Sequence, residues 1–423
     1  MTGCRRSKGR PRYLLIALEA FSATGIMTHK GVTMRLWRIF GLAIFFVSIL
    51  KPVMARNCEL HIPDHVHFDV DGVLQAKIFR SLDELFVDIE NDIEKSPLVR
   101  RDGYLLNIEY FKELAGIKFK KGYPDQDNCS NELINIFEIA ANQYMLKVAY
   151  IGHTNTNSYP VVNMICSIAA YIDKDKITFS SPLSYRTKDW ERKQIGSILY
   201  HYKGGFDVSE AKAFERVSVG MANSLGLTPL KLEFYKCDNF QEVLSIIGFD
   251  YDLIYNGKAK ESWIIGNTIF QGFNNEKFSH DIFHVYTSKI VDRKHRNWTA
   301  EEGIAYSWGD AYYPKRNGEI ITRDELMSVL VNYLEANPDT DLLGLFENRT
   351  GLFSDISPRV KVKSVISSLI CDEVQKQNGN EGIIRLITCG KGDDKFFGAV
   401  DELIGLNRSN FNREVMRLIE KFD

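Results

Sequence analysis

The sequence predicts an α+β fold, and three observations carry that prediction. Between residues 195 and 270, short apolar runs that alternate like strands are separated by stretches of helical periodicity, the texture of a sheet layered with helices. From Thr322 onward the apolar spacing becomes helical throughout. A chain of 423 residues with 44% hydrophobic and 12% aromatic content has enough apolar material for packed cores and is not a disordered chain. The expected division is a leader over 1–55, an N-terminal mixed region over 56–193, a mixed-sheet domain over 194–320 and a helical C-terminal domain over 321–423.

The leader has the layout of a secretory signal peptide. From Met34 the chain reads MRLWRIFGLAIFFVSILKPVMA: Arg35 and Arg38 give a basic start, Ile39 to Leu50 is apolar, and Val53 to Ala55 supplies small residues for cleavage. The run is shorter than the ~20 residues of a membrane span, so the expectation is export to a periplasmic or extracellular space with no stable membrane span after cleavage. Translation is expected to begin at Met34; the alternative is an N-terminal segment that stays uncleaved as an anchor. Without residues 1–55 the chain keeps 53 − 9 = 44 basic and 55 − 1 = 54 acidic residues, a net charge of −10. Such a chain offers no general field for nucleic acid. The cysteines left, Cys58, Cys129, Cys166, Cys237, Cys371 and Cys389, contain no CxxC pair, which argues against a cysteine zinc site and leaves disulfides and free thiols both open.

Helical spacing is read over Leu82 to Ile93 and over Leu133 to Leu146, and strands over Ile165 to Ile172 and Lys176 to Phe179. His61, His65 and His67 cluster without an acidic or cysteine partner at fixed spacing, a pattern of solvated histidines more than of a metal site. Ile195 to Tyr202 reads as a strand. A helix then starts at Asp207 or Ser209 with Ala213, Val217, Met221 and Leu225 on one stripe and Gly226 as its stop. Pro229 opens the strand LKLEFYKC, Asp238 caps a helix over Phe240 to Ile247, and Trp263 to Phe270 gives two short strands around Gly266 and Asn267. In the C-terminal part the helices are Arg323 to Leu334, Val360 to Gln377, Gly382 to Thr388, Lys395 to Leu403 and Phe411 to Phe422.

The chemistry lies in HDIFHVYTSKIVDRKHRNWTAEEGIAY, His280 to Tyr306. On a helix expected over Asn275 to Val291, His280 and His284 are four residues apart and project from one face, close enough to share a metal ion. Asp281 stands where HExxH proteins carry the proton-accepting glutamate. Glu302, in EEGIAY, follows on a second helix and would complete a His, His, Glu set with one position open. A plainer reading is open for each part. HxxxH occurs by chance in many helices, and TAEE is a capping box in which Thr299 caps the helix and Glu302 reaches back to it.

This stretch resembles the gluzincin metallopeptidases, in particular the peptidase-MA-like group, whose pattern is HExxH followed by EGxA on a later helix. The resemblance extends over about Ile195 to Asp423. It implies a zincin-like catalytic domain with Zn²⁺ on His280, His284 and Glu302, and Asp281 as general base. It also implies an edge strand upstream of the metal helix that pairs with a peptide or protein substrate, and a phenol or imidazole that stabilises the oxyanion. Tyr306, Tyr312, Tyr313 and His295 are within sequence reach for that last role. The departure from the pattern is Asp281, one methylene shorter than glutamate. It keeps open a second function, a zincin fold with weakened or lost catalysis that serves as an envelope binding or scaffold module.

Overall fold

The computed structural model describes residues 60–64, 70–116, 129–153, 159–174, 176–255, 262–315, 319–348, 351–357 and 359–422, all within one compact unit, Asn57–Asp423. The signal-peptide stretch with its start at Met34, and His65 and His67, lie outside the described residues. Among the described residues no helix is long and apolar enough to cross a membrane. The chain is α+β: two mixed sheets with helices, then a mostly helical C-terminal region.

The first sheet runs in chain order. β1 (Leu60–His61) lies parallel to β2 (Cys129–Ala140), followed by antiparallel β3 (Gln143–His153), β4 (Pro160–Asp173) and β5 (Lys176–Ser180). Helices α1 (Gly72–Asn91), capped by the Asp71 carboxylate, and α2 (Tyr104–Gly116) share its apolar core. The helical reading of Leu133 to Leu146 is corrected here: those residues form the β2–β3 hairpin. Two β-bulges in β2, between Leu133 and Asn135 and between Glu138 and Ala140, break strict alternation. The buried residues of β2 therefore include Leu133 and Ile136, three apart, which imitates a helical stripe.

After the short helix α3 (Leu183–Arg186), the hairpin β6 (Glu191–Ile195) and β7 (Ile198–Tyr202) replaces the single strand expected over Ile195 to Tyr202. Gly196, at φ +53, makes its turn. Helix α4 (Val208–Ser224) is capped by Asp207 as expected, but its buried face is Ala211, Phe214, Ser218 and Met221. Of the expected stripe, Met221 and Leu225 are buried, Val217 packs partly buried against the same core, and Ala213 lies at the edge of that face. Next come β8 (Leu232–Lys236) and α5 (Phe240–Ile247), the latter capped by Asn239 in place of Asp238. β9 (Phe249–Asp252) crosses back to pair with β4 of the first sheet. β10 (Ser262–Ile265) and β11 (Thr268–Gln271) are the expected pair of strands around Gly266.

The second sheet has the order β10-β11-β8-β7-β6, so β10 is an edge strand, antiparallel to β11. Side chains alternate along its strands between two cores. Leu232, Phe234 and Ile269 face the core shared with the later helices, while Tyr235, Cys237 and Phe270 face the core shared with the first sheet and α5. The helices on the first of these faces are α4, α6 (Ser279–Ile290) and α7 (Trp298–Gly309), and then α8 (Arg323–Ala336), α9 (Leu342–Glu347), α10 (Val362–Thr388), α11 (Asp393–Ile404) and α12 (Phe411–Glu420). The two segments expected on either side of Gly379 are present as two helical runs within α10, broken at that glycine, whose backbone is non-helical at φ +61. Cys129 is disulfide-bonded, and Cys166, Cys237, Cys371 and Cys389 are free.

Candidate metal centre

The site forms where α6 meets α7. Helix α6 is held by the burial of Ile282, Phe283, Val285 and Tyr286 in the core shared with its neighbouring helices, and His280 and His284, four residues apart, meet α7 and the turn that follows it. Two glycines let α7 come close. A Cβ at Gly309 would lie 2.3 Å from the Ser279 carbonyl oxygen, and one at Gly303 would lie 2.7 Å from the Ser367 Cβ on α10. The end of α7 therefore sits directly on the start of α6, and Asp310, at φ +72, turns its carbonyl toward the first histidine.

Each imidazole is fixed through Nδ1. His280 Nδ1 donates to the Asp310 carbonyl at 2.9 Å. His284 Nδ1 donates to the Glu301 carboxylate at 2.9 Å. A carbonyl oxygen can only accept, so His280 carries its proton on Nδ1 and presents an Nε2 lone pair; the Glu301 carboxylate imposes the same tautomer on His284. The two Nε2 atoms face each other at 3.4 Å. Lone pairs aimed at one another at that separation repel unless a proton or a cation lies between them. The carboxylate of Glu302 reaches the same place, 3.8 Å from His280 Nε2 and 3.5 Å from His284 Nε2. Asp281 completes the cluster: ligand atoms of His280, Asp281 and His284 lie within 4.8 Å of one another, a group that could hold a metal ion. An Asp281 oxygen also accepts from the Ser262 hydroxyl of β10 at 3.3 Å, which ties the helix to the edge strand.

Glu301 is fully buried and holds three partners through one oxygen: His284, the Thr287 hydroxyl at 2.6 Å and the Arg296 guanidinium at 2.5 Å. Burial would raise its pKa, but the His284, Thr287 and Arg296 contacts outweigh that and hold it below the usual carboxylate range. For His284 the balance runs the other way. Burial disfavours the imidazolium, yet the hydrogen bond that His284 donates to Glu301 and the charges of Glu302, Glu301 and Asp281 raise the pKa above the ordinary imidazole value. A neighbourhood this negative favours a cation.

The capping-box reading of Thr299 and Glu302 does not describe this helix. Asn297 caps α7 through Ala300 N, and the Thr299 hydroxyl donates to Asp393. Of the aromatic residues near the motif, Tyr306 and Tyr313 set their rings edge-on to His280 at 5.4 and 5.9 Å. Tyr306 is buried, and burial first, then Tyr313 and Glu302, keeps its phenol neutral. Tyr312 points its hydroxyl at Asn275, 2.6 Å away. His295 is an exposed linker residue paired with Asp292. The sequence reading missed Glu301, Thr287, Arg296 and Ser262; the doublet Glu301-Glu302 was the available signal, since adjacent residues on a helix face different surroundings. No family model matches the chain, and no curated protein matches it.

Proposed function

We propose that this protein is an exported zinc-dependent hydrolase of peptide bonds, in which His280, His284 and Glu302 hold the cation and Asp281 is the general base. The observation that carries the reading is the pair of Nε2 atoms, tied back through both Nδ1 atoms and joined by Glu302. Ligands ~2.0–2.1 Å from a tetrahedral zinc stand ~3.3 Å apart, and the Nε2–Nε2 and Nε2–carboxylate separations of 3.4, 3.5 and 3.8 Å are near that value. Two imidazoles and one carboxylate are also a donor set of catalytic zinc sites, and the carboxylate behind His284 is the expected support. When bound, Zn²⁺ would supply Lewis acidity, making a water acidic near neutral pH and polarising a carbonyl.

The protein side of the reaction follows from position. Asp281, beside the ligand cluster, would take a proton from the attacking water and return it to the leaving amine, its carboxylate oriented by the Ser262 hydroxyl. Among the described residues strand β10 has no second strand partner, and an extended peptide could add there as a further strand. Tyr313, half-buried against His280, is the phenol suited to donate to the developing oxyanion, whereas Tyr306 is packed behind it. Export is supported by the signal-peptide layout before Arg56 and by the disulfide-bonded state of Cys129.

The second reading, a zinc-holding scaffold without catalysis, is favoured by Asp281 itself. It is shorter than glutamate, and Ser262 already occupies one of its oxygens. Substitution at this residue separates the two. Hydrolysis of a peptide library should fall about 10²–10⁴-fold in Asp281→Ala with the metal retained, and Asp281→Glu should keep or raise it. Activity unchanged in Asp281→Ala would remove the general-base role, and zinc binding without any hydrolysis in wild type or Asp281→Glu would favour the scaffold.

A further inference from the structure

Beside the metal centre lies a pocket of about 530 Å³ lined by Arg293, Lys294, Arg296, Trp298, Lys391 and Gly392. Its wall is continuous with the site: the Trp298 indole stacks on the His284 imidazole, with ring centroids 5.7 Å apart and planes within 4°. Trp298 is nevertheless 48% exposed, a large apolar ring left open to solvent next to a buried polar cluster. The Arg293 guanidinium stands over the same indole at 5.9 Å.

The charge around this ring is not neutralised. Arg296 is taken by Glu301. The other carboxylates nearby in sequence have other hydrogen-bond or ion-pair partners: Asp292 is bonded to His295 and to the Lys294 backbone N–H, Asp393 pairs with Lys363 and Asp394 with Arg408. Among the described residues no carboxylate pairs with the side chains of Arg293, Lys294 or Lys391. Three cations without a carboxylate partner among the described residues therefore line the pocket that holds this exposed indole, in a chain whose net charge beyond residue 55 is 44 − 54 = −10. A solvated surface of such a chain would be expected to mix signs; this one presents one sign and an aromatic floor.

We propose that Arg293, Lys294, Lys391 and Trp298 form a carboxylate-binding subsite that holds an anionic group of the substrate against the Trp298 ring. The carboxylate can come from an acidic side chain or from the α-carboxylate of a peptide's C-terminus. An extended chain advances ~3.3–3.6 Å per residue, so a group bound over Trp298 belongs to a residue one or two positions from the bond presented to the metal centre. The naming of a peptide as the carrier rests on the hydrolase reading above; the carboxylate contact itself needs no cation at His280 and His284.

The test is calorimetric binding to the full chain, with and without added zinc, of three N-acetylated tripeptides. One ends in glutamate amide, one in glutamine with a free carboxylate and one in glutamine amide. At least one of the first two should bind roughly tenfold or more tightly than the third, as charge-assisted hydrogen bonds of this kind imply. Which of them does so identifies the carboxylate's source. The preference should vanish in Arg293→Ala/Lys294→Ala/Lys391→Ala, a surface variant expected to fold and to bind zinc as wild type does. Equal binding of all three peptides to the wild type, or a preference that survives in the triple variant, would overturn the subsite. Because the assay requires neither turnover nor metal, a carboxylate preference without zinc uptake would sink the metal reading and leave the subsite standing.

Discussion

Two imidazole sites in this molecule, one buried and one buried to half-buried, are built in opposite ways. His201, on β7, is 4% exposed and stacks on Tyr235 at 4.2 Å; among the described residues neither ring nitrogen has a hydrogen bond, and the Glu233 carboxylate stands 3.6 Å from Nε2. Burial, aided by the charge of Arg192, pushes its pKa down to about 4, so it is a neutral aromatic filler between strands. His280 and His284 are each oriented by an acceptor behind Nδ1, and their free nitrogens converge. Burial alone thus says little about a histidine's role. What separates a core ring from one that could hold a metal ion is whether something behind the ring fixes its tautomer and direction, as Asp310 and Glu301 do here.

That contrast can be broken most forcefully at Glu301. Glu301→Ala leaves the Arg296 guanidinium buried without its partner, and the loss should be about 3–5 kcal/mol in urea unfolding, as for other broken buried pairs. Glu301→Gln keeps the shape and removes the charge. It should weaken metal affinity by about 10–100-fold, and a competitive chelator titration would read that. Unchanged affinity in Glu301→Gln would mean that the carboxylate serves only Arg296.

His201 sharpens the comparison from the other side. Its folded pKa lies below its unfolded value, so the unfolded chain takes up a proton first as pH falls. Stability from this residue is therefore full above 6.5 and is lost as pH drops toward about 4. The loss is up to about 3 kcal/mol. His201→Phe, which keeps the stack on Tyr235, should flatten that part of the stability–pH curve and leave metal binding unchanged. A curve as steep as wild type would show that other groups carry the acid sensitivity.

The sequence made the front of the site legible and hid its back. His280, Asp281, His284 and Glu302 are separated by spacings that project onto two helices, and periodicity suffices to find them. Glu301 could not be ranked above Glu302, because Asn297, not Thr299, starts α7, and its role as cap is sealed by the carbonyls of Gly390 and Gly392, more than ninety residues away in the chain. Long-range pairing hid other features as well: β9 joins β4 across intervening helices, and the bulges of β2 gave a strand the look of a helix. Local signals such as Asp207 before α4 and Gly226 after it read correctly because capping and left-handed turns are decided by neighbours in sequence.

Whether α6 and α7 together hold a metal ion is read by the zinc content of the purified full chain beside His280→Ala/His284→Ala, with circular dichroism to establish that both are folded. About one zinc per chain is expected in the wild type and none in the double variant. A folded wild type that takes up no zinc even when the metal is added, or a double variant that holds as much as wild type, would contradict it.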